Sequence, residues 1–127
     1  MIKVVCGVIV EDKRVLLAQR SENMEHPHKW EFPGGKIKEG ETAEAALKRE
    51  LREELRMDIH VTLAIQPVLW KYPDKTVHLQ PVICQWVGGE PRAIEHHQLK
   101  WCLWAELKEL DILDADIAIV NQIERFL

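Results

Sequence analysis

Residues 2–10, "IKVVCGVIV", limit the fold more than any other segment of the chain. They are rich in β-branched side chains and almost continuously apolar, which is the pattern of a strand buried on both faces. Such a strand requires a sheet that is covered on both sides, because an open face would leave half of these side chains in water. Together with the strands, two helices and long loops predicted in the rest of the chain, this indicates a mixed β-sheet flanked by helices, in the α/β (α+β) class.

The rest of the chain supplies the other elements of this sheet. Runs of β-branched and aromatic residues predict strands at residues 15–20, 59–72, 76–87 and 100–104. Pro67 and Pro81 indicate edges or bulges within two of these runs. Strong helix formers predict a helix at residues 42–56, with Thr42 as its N-cap. The length suits one domain, which we place at residues 1–127.

Three further segments have a recognisable character. Residues 104–110 predict a short helical turn, and residues 114–127 predict an amphipathic helix whose apolar side includes Ile117 and Val120. Residues 21–41 are polar, contain two prolines and three glycines, and show no periodicity. A loop of that length is usually functional.

Composition excludes several classes of protein. The formal net charge is −4, so we expect no broad basic surface and no nucleic-acid partner. No stretch approaches the ~20 apolar residues of a membrane helix, and the N-terminus resembles a strand rather than a signal peptide. The three cysteines form no zinc pattern, and we interpret them as reduced, buried thiols of a cytoplasmic protein: Cys6, Cys84 and Cys102. We expect a monomer or a homodimer without a membrane partner.

The predicted helix at residues 42–56 places acidic side chains where a helix normally buries apolar ones. At about 100° per residue, Glu50 and Glu54 point in the direction of the apolar face that includes Leu47, and Glu53 lies at its edge. Glu50 and Glu54 are like charges one turn apart, and burial would increase their repulsion. The helix dipole also disfavours anions in the last turns.

Two interpretations fit these glutamates. A solvent-exposed face with ion pairs would account for Arg49 and Glu53, which are one turn apart. A divalent cation would instead offset the repulsion of the other two glutamates, and all-oxygen ligands favour Mg²⁺, with Mn²⁺ as a substitute, over zinc. Gly34 and Gly35 before the helix would let the backbone approach a phosphate closely, although paired glycines occur in many turns.

The spacing of these residues resembles the Nudix box, the motif of Nudix hydrolases. Its pattern is G, five residues, E, seven residues, then R-E-U-x-E-E-x-G-U, where U is a bulky aliphatic residue. The matching positions are Gly35, Glu41, Arg49, Glu50, Leu51, Glu53, Glu54 and Met57. Arg56 stands where the family usually has glycine, so the exit turn of the helix is expected to differ. The segments "WEFPGGKI", "EHHQLKW" and "DADI" extend the resemblance to the MutT-type branch over essentially the whole chain.

This resemblance implies an α/β/α sandwich and the Mg²⁺-dependent hydrolysis of a nucleoside triphosphate to the monophosphate and pyrophosphate. It implies metal ligands at Glu50, Glu53, Glu54 and Glu95, with a backbone carbonyl at Gly34 or Gly35. The general base is expected to be Glu53 or Glu95, although an exposed loop glutamate such as Glu95 is usually only solvated. Arg49 is expected to orient the glutamates, and Glu41 to anchor the preceding loop to the helix.

Substrate contacts are also implied by the resemblance. Arg20, Gly34 and Lys75 are candidates for phosphate or substrate binding, although a basic residue at a strand end or turn also fits Arg20 and Lys75. Phe32 would border a base pocket, unless it is an ordinary core aromatic. Asp116 occupies the place of an amide that reads oxidised guanine in the MutT type, and it also suits a helix N-terminus.

The aspartate leaves two substrate classes open. A carboxylate accepts hydrogen bonds and donates one only when protonated. Asp116 is therefore compatible with an oxidised purine such as 8-oxo-dGTP, in an enzyme that sanitises the nucleotide pool, and with CTP or a modified pyrimidine nucleotide. A catalytically silent Nudix-like module that recognises bases is the alternative from another class, but such modules typically lose box glutamates. The neighbouring histidines His96 and His97 are expected to face solvent.

Overall fold

The computed structural model describes residues 1–127. It contains eight strands and three α-helices in the order β1 Ile2–Glu11, β2 Arg14–Gln19, β3 Trp30–Glu31, β4 Gly34–Lys36, α1 Ala43–Leu55, β5 Asp58–Ala64, β6 Val68–Tyr72, β7 Lys75–Gly88, β8 Gln98–Leu103, α2 Trp104–Leu107 and α3 Asp114–Ile123, followed by a 3₁₀ turn at Glu124–Phe126. The predicted loop at residues 21–41 thus includes two very short strands. None of the helices has the length and apolar composition of a membrane span.

All eight strands form one mixed sheet. β1 and β7 are parallel, with Ile2 opposite Val77 and Val10 opposite Gln85, and the other strand pairs are antiparallel. Along its second edge β1 pairs with β4 and then with β2. β7 similarly pairs with β6 and then with β5, and Pro81 lies between these two partners. A proline is tolerated in this central strand because the ladder changes partner there.

The two faces of β1 belong to two separate cores. Val5 and Ile9 pack with the apolar face of α1, whereas Cys6 and Val8 pack with the cluster that contains α3. The prediction that the first strand is buried on both faces, between two helical layers, is therefore confirmed. The three cysteines are buried free thiols.

Helix α3 differs from the prediction. Ile117 is 48% exposed, and the buried face consists instead of Ala115, Asp116, Ile119, Val120 and Ile123. The prediction for Ile117 is wrong because the apolar run around it allows more than one face, and the sheet selects the one centred on Ile119. As a result, a carboxyl group points from the first turn of α3 into the protein interior.

Candidate functional site

One cavity of about 540 Å³ lies between α1, the sheet and the start of α3. Its lining includes eight of the residues predicted from the sequence. They are Arg20, Phe32, Gly34, Gly35, Glu50, Glu54, Lys75 and Asp116. Glu53, Glu95 and Arg49 do not line the cavity. The structure therefore joins the acidic face of α1 to the predicted base-binding residues.

Helix α1 begins and ends by recognisable local rules. The Thr42 side chain accepts a hydrogen bond from the Ala45 amide at 3.1 Å, as predicted for its N-cap. The helix ends at Arg56, whose φ of 58° and ψ of 32° are left-handed. This is the conformation that glycine adopts without strain. The expectation of a different exit turn is therefore wrong, since Arg56 takes the glycine-like turn at some cost in backbone energy.

The three box glutamates do not share one environment. The Glu50 side chain is 14% exposed, and Glu54 is half-buried on the same side of α1. Glu53 is 59% exposed and lies 3.5 Å from Arg49. The helical wheel thus predicted the direction of Glu50 and Glu54 correctly. Glu53 is instead an exposed residue near Arg49, as the ion-pair interpretation predicted.

Arg49 organises the acidic face from one side. It donates to both carboxylate oxygens of Glu41 at 2.7 and 2.9 Å, to Glu50 at 3.0 Å, and to the Lys36 carbonyl at 3.2 Å. The Arg49 guanidinium, assisted by the Lys38 amide, lowers the pKa of Glu41 to about 2. Arg49 thus bridges Glu41 and Glu50, and Glu41 also bonds the Lys38 amide of the preceding loop.

Gly35 lets the backbone of β4 lie against the Glu50 carboxylate. A Cβ at this position would stand 2.6 Å from both carboxylate oxygens of Glu50. A Cβ at Gly34 would instead collide with the backbone of β1 at Val5 and Cys6. Gly35 therefore leaves room at the carboxylate, whereas Gly34 is required for strand packing.

The donor set fits a hard divalent cation in its chemistry. Burial, followed by the adjacent Glu50, raises the pKa of Glu54 to about 9, and Glu95 and Glu31 add to this effect. A cation between Glu50 and Glu54 would offset that repulsion with oxygen ligands of the type that Mg²⁺ and Mn²⁺ prefer. The ligands are not fully assembled, however, because no group of three or more His, Cys, Asp or Glu side chains is placed to hold a metal ion.

Glu95 lies on the loop between β7 and β8, next to the end of α1. The Ile94 amide donates to the Glu54 carbonyl at 3.2 Å, and the Arg92 amide donates to the Leu55 carbonyl at 2.9 Å. Glu95 itself is exposed, and its charge contributes to the raised pKa of Glu54. The structure thus brings Glu95 near the acidic face without placing it in the cavity.

The opposite end of the cavity is built around Asp116. Its Oδ2 accepts a hydrogen bond from the Phe32 amide at 2.8 Å, and the residue is 4% exposed. Burial, with a smaller contribution from Glu31, raises the pKa of Asp116 to about 8, although the Phe32 amide and Arg20 oppose the shift. Burial therefore favours the protonated form of the Asp116 carboxyl. Phe32 is 2% exposed, so it both belongs to the core and borders the cavity.

The two basic residues predicted to contact the substrate, Arg20 and Lys75, already have hydrogen-bond partners within the protein. Arg20 Nη1 donates to Glu31 at 2.8 Å, and its Nε donates to the Glu25 carbonyl. Lys75 Nζ donates to Glu25 at 3.1 Å and lies 5.6 Å from the centroid of the Tyr72 ring. Both side chains line the cavity, but a phosphate would have to share or replace these partners.

Two residues that line the cavity, Glu31 and His96, were not predicted from the sequence as part of the site. Glu31 receives Arg20 on one carboxylate oxygen and contacts Nε2 of His96 at 2.8 Å with the other. His96 is 6% exposed, so the expectation that it faces solvent is wrong, whereas His97 is exposed as expected. The alternation Trp30, Glu31, Phe32 could have indicated that Glu31 points to the opposite side from two buried aromatics.

The chain is similar to known proteins over nearly its whole length. A family model described as "NUDIX domain" matches residues 1–123. The chain is 40% identical over 126 residues to a Mycobacterium tuberculosis (strain H37Rv) protein named "Putative 8-oxo-dGTP diphosphatase 2", covering 98% of this chain and 89% of that protein. It is 34% identical over 121 residues to the CTP pyrophosphohydrolase of Escherichia coli (strain K12), covering 95% of this chain and 90% of that one.

A solved structure is similar to this chain in both fold and sequence. The MutT protein of methicillin-resistant Staphylococcus aureus 252, described as a DNA mismatch repair protein of the Nudix hydrolase family, has a TM-score of 0.79 and 38% identity. The match covers 99% of this chain and 97% of that chain. The mixed sheet between helices is therefore shared with a protein of known structure.

Proposed function

The chain belongs to the Nudix hydrolase family, and on that premise we propose that it hydrolyses a (deoxy)nucleoside triphosphate to the monophosphate and pyrophosphate. Nudix enzymes act on small nucleotides and use divalent metal ions; we assign Mg²⁺ here, with Mn²⁺ as a substitute. The observation that carries the proposal is the single cavity that joins Glu50 and Glu54 to Phe32 and Asp116. Its volume of about 540 Å³ lies in the usual range for small-molecule sites.

The acidic end of the cavity is proposed as the hydrolytic end. Glu50 and Glu54 would hold the cation, joined by Glu53 and Glu95 and by the Gly35 carbonyl. When bound, the metal polarises phosphate oxygens and lowers the pKa of an attacking water. Water attacks one of the two phosphorus atoms that flank the bridging oxygen between the α and β phosphates, and the bond from that phosphorus to the bridging oxygen breaks. The bridging oxygen departs with the other phosphoryl group, which gives the monophosphate and pyrophosphate, and a carboxylate of Glu53 or Glu95 receives the water's proton.

The buried end is proposed to select the base. Oδ2 of Asp116 is occupied by the Phe32 amide, so the second oxygen is the one that can address a ligand. When that oxygen is protonated, Asp116 offers a donor as an amide does, which suits the carbonyl of an oxidised guanine. We therefore propose 8-oxo-dGTP as the substrate class, in an enzyme that sanitises the nucleotide pool.

A CTP or modified-pyrimidine pyrophosphohydrolase is the second candidate. It is favoured by the aspartate at position 116 and by the 34% identity to a CTP pyrophosphohydrolase. The two candidates differ in the nucleoside, and the roles proposed for the glutamates are the same in both. We also propose that the single domain spans residues 1–127 and is cytoplasmic, which is supported by three buried free thiols.

Pyrophosphate release with a panel of canonical and oxidised nucleotides, compared by kcat/KM, tests the proposal. We expect one nucleotide to exceed the others, with activity that requires Mg²⁺ or Mn²⁺ and disappears with a chelator. Dominance of CTP over 8-oxo-dGTP would select the second candidate. Absence of hydrolysis for every nucleotide, with metal present and the protein folded, would refute both.

A further inference from the structure

His96 is buried in an unusual way for a loop residue. Its side chain is 2% exposed, and Nε2 lies 2.8 Å from Oε2 of Glu31. Since a carboxylate only accepts, Nε2 carries the proton and donates. Nδ1 is buried without any partner. An ordinary packing role would be filled by an apolar side chain at lower cost, so the bond to Glu31 is the feature that calls for a histidine.

Glu31 is a fixed acceptor for this bond. Its second oxygen receives Arg20 Nη1 at 2.8 Å, and the Nε of Arg20 is in turn held by the Glu25 carbonyl. Glu31 follows Trp30 in β3, and Trp30 is buried and hydrogen-bonded through its backbone to residues 111 and 113. The side chain of His96 is therefore attached to a rigid part of the sheet.

The backbone around His96 is held on both sides of Glu95. The Ile94 amide donates to the Glu54 carbonyl at 3.2 Å, and the His97 amide donates to the Gln19 carbonyl at 2.9 Å. Glu95 has no hydrogen bond or ion pair of its own in the structure. Between these two backbone bonds, His96 has the one side chain that is bonded to another part of the protein.

We propose that His96, held by Glu31 and Arg20, is a positioning residue that fixes Glu95 beside the acidic face of α1. Arg20 then acts mainly through Glu31 rather than as a phosphate ligand. The inference depends on the proposed function, because it assigns Glu95 a part in hydrolysis. It connects the two ends of the cavity, since the same Glu31 lies close enough to Asp116 and Glu54 to raise the pKa of both.

The test compares His96→Leu, which removes the donor, with His96→Gln, which keeps an N–H near the position of Nε2. We expect His96→Leu to lower kcat on the order of 10–100-fold with little change in KM, as is typical when a supporting partner is lost. His96→Gln should restore most of kcat. The neighbouring His97→Leu, at an exposed position without a side-chain partner, is the matched control and should behave as the wild type.

A double-mutant cycle separates positioning from simple loss of stability. If His96 acts through Glu95, His96→Leu should cause no further loss of kcat in a Glu95→Gln background. Equal losses in both backgrounds would overturn the proposal, and so would a Glu95→Gln or His96→Leu variant with wild-type kcat. Failure of His96→Gln to improve on His96→Leu would exclude the bond to Glu31 as the cause.

Hydrogen exchange of the metal-free protein gives a readout that does not depend on activity. The amides of Ile94 and His97 should exchange faster in His96→Leu than in the wild type or His97→Leu, while β7 remains protected. Unchanged protection would refute the positioning role. If the wild type hydrolyses no nucleotide, the proposed function fails on its own, and the exchange rates still decide whether His96 fixes this loop.

Discussion

Replacing Asp116 by asparagine should change how the stability of the protein depends on pH. In the folded chain burial raises the pKa of this carboxyl from 3.8 to about 8. Asparagine keeps an oxygen that can accept from the Phe32 amide but cannot ionise. The variant therefore isolates the titration of one buried group without removing its hydrogen bond.

The sign and size of the effect follow from the two pKa values. Between about pH 4 and pH 8 the folded state holds a proton that the unfolded chain has released, so stability is greatest on the acid side and declines as the pH rises. The slope from a single such group is at most about 1.4 kcal/mol per pH unit. Between pH 5 and pH 8, Asp116 should cost the wild type at most about 4 kcal/mol relative to Asp116→Asn.

Urea unfolding of both proteins at several pH values in this range measures the difference directly. Other carboxylates change the stability of both proteins alike, so the quantity of interest is the free energy of unfolding of Asp116→Asn minus that of the wild type. We expect it to increase steadily with pH. Asp114→Asn, at an exposed position in the same helical turn, is the control and should give a flat difference. Parallel curves for Asp116→Asn and the wild type would refute the burial argument.

Three other perturbations test separate parts of the site. Arg56→Gly should stabilise the protein by about 1 kcal/mol in urea unfolding, since it relieves a left-handed backbone, and an equal gain in Arg56→Ala would contradict this reason. Glu54→Gln should raise the Tm of the metal-free protein and lower kcat by about 10²-fold or more. Glu53→Gln should lower kcat with little effect on Tm, because its side chain is exposed. Equal effects of the two variants on Tm, or wild-type kcat in both, would argue against placing these glutamates in the hydrolytic site. Arg49→Lys should lower kcat more than it raises KM, because lysine cannot hold both oxygens of Glu41 and also donate to Glu50. Unchanged kinetics would show that this bridge is not needed.

Local patterns in the sequence predicted the parts of this fold that depend on periodicity. The apolar run at residues 2–10 predicted a strand buried on both faces, and the wheel of α1 predicted the direction of Glu50 and Glu54. Both outcomes depend on which face of an element is apolar, which the sequence records directly. Thr42 as the N-cap of α1 is predictable for a similar reason, since its partner lies three residues away.

The contacts that build the base end could not be predicted in this way. Asp116 and the Phe32 amide are 84 residues apart, and Glu31 and His96 are 65 residues apart. Periodicity reports that a side chain is buried but not which distant group satisfies it. The resemblance pointed to Asp116 and Phe32 as neighbours of the base, yet it contained nothing about the bond between them.

The acidic groups of this cavity explain why its two ends are coupled. Glu31 lines the same cavity, with one oxygen bonded to Arg20 and the other to His96. Its negative charge raises the pKa of Glu54 at one end and of Asp116 at the other. A divalent cation near Glu54 would counteract the negative charge of Glu31. The same negative charge influences the protonation of Asp116, the carboxyl that a bound base would contact. Metal binding at one end should therefore lower the pKa of Asp116, and the direction of that change would be the same for any substrate base.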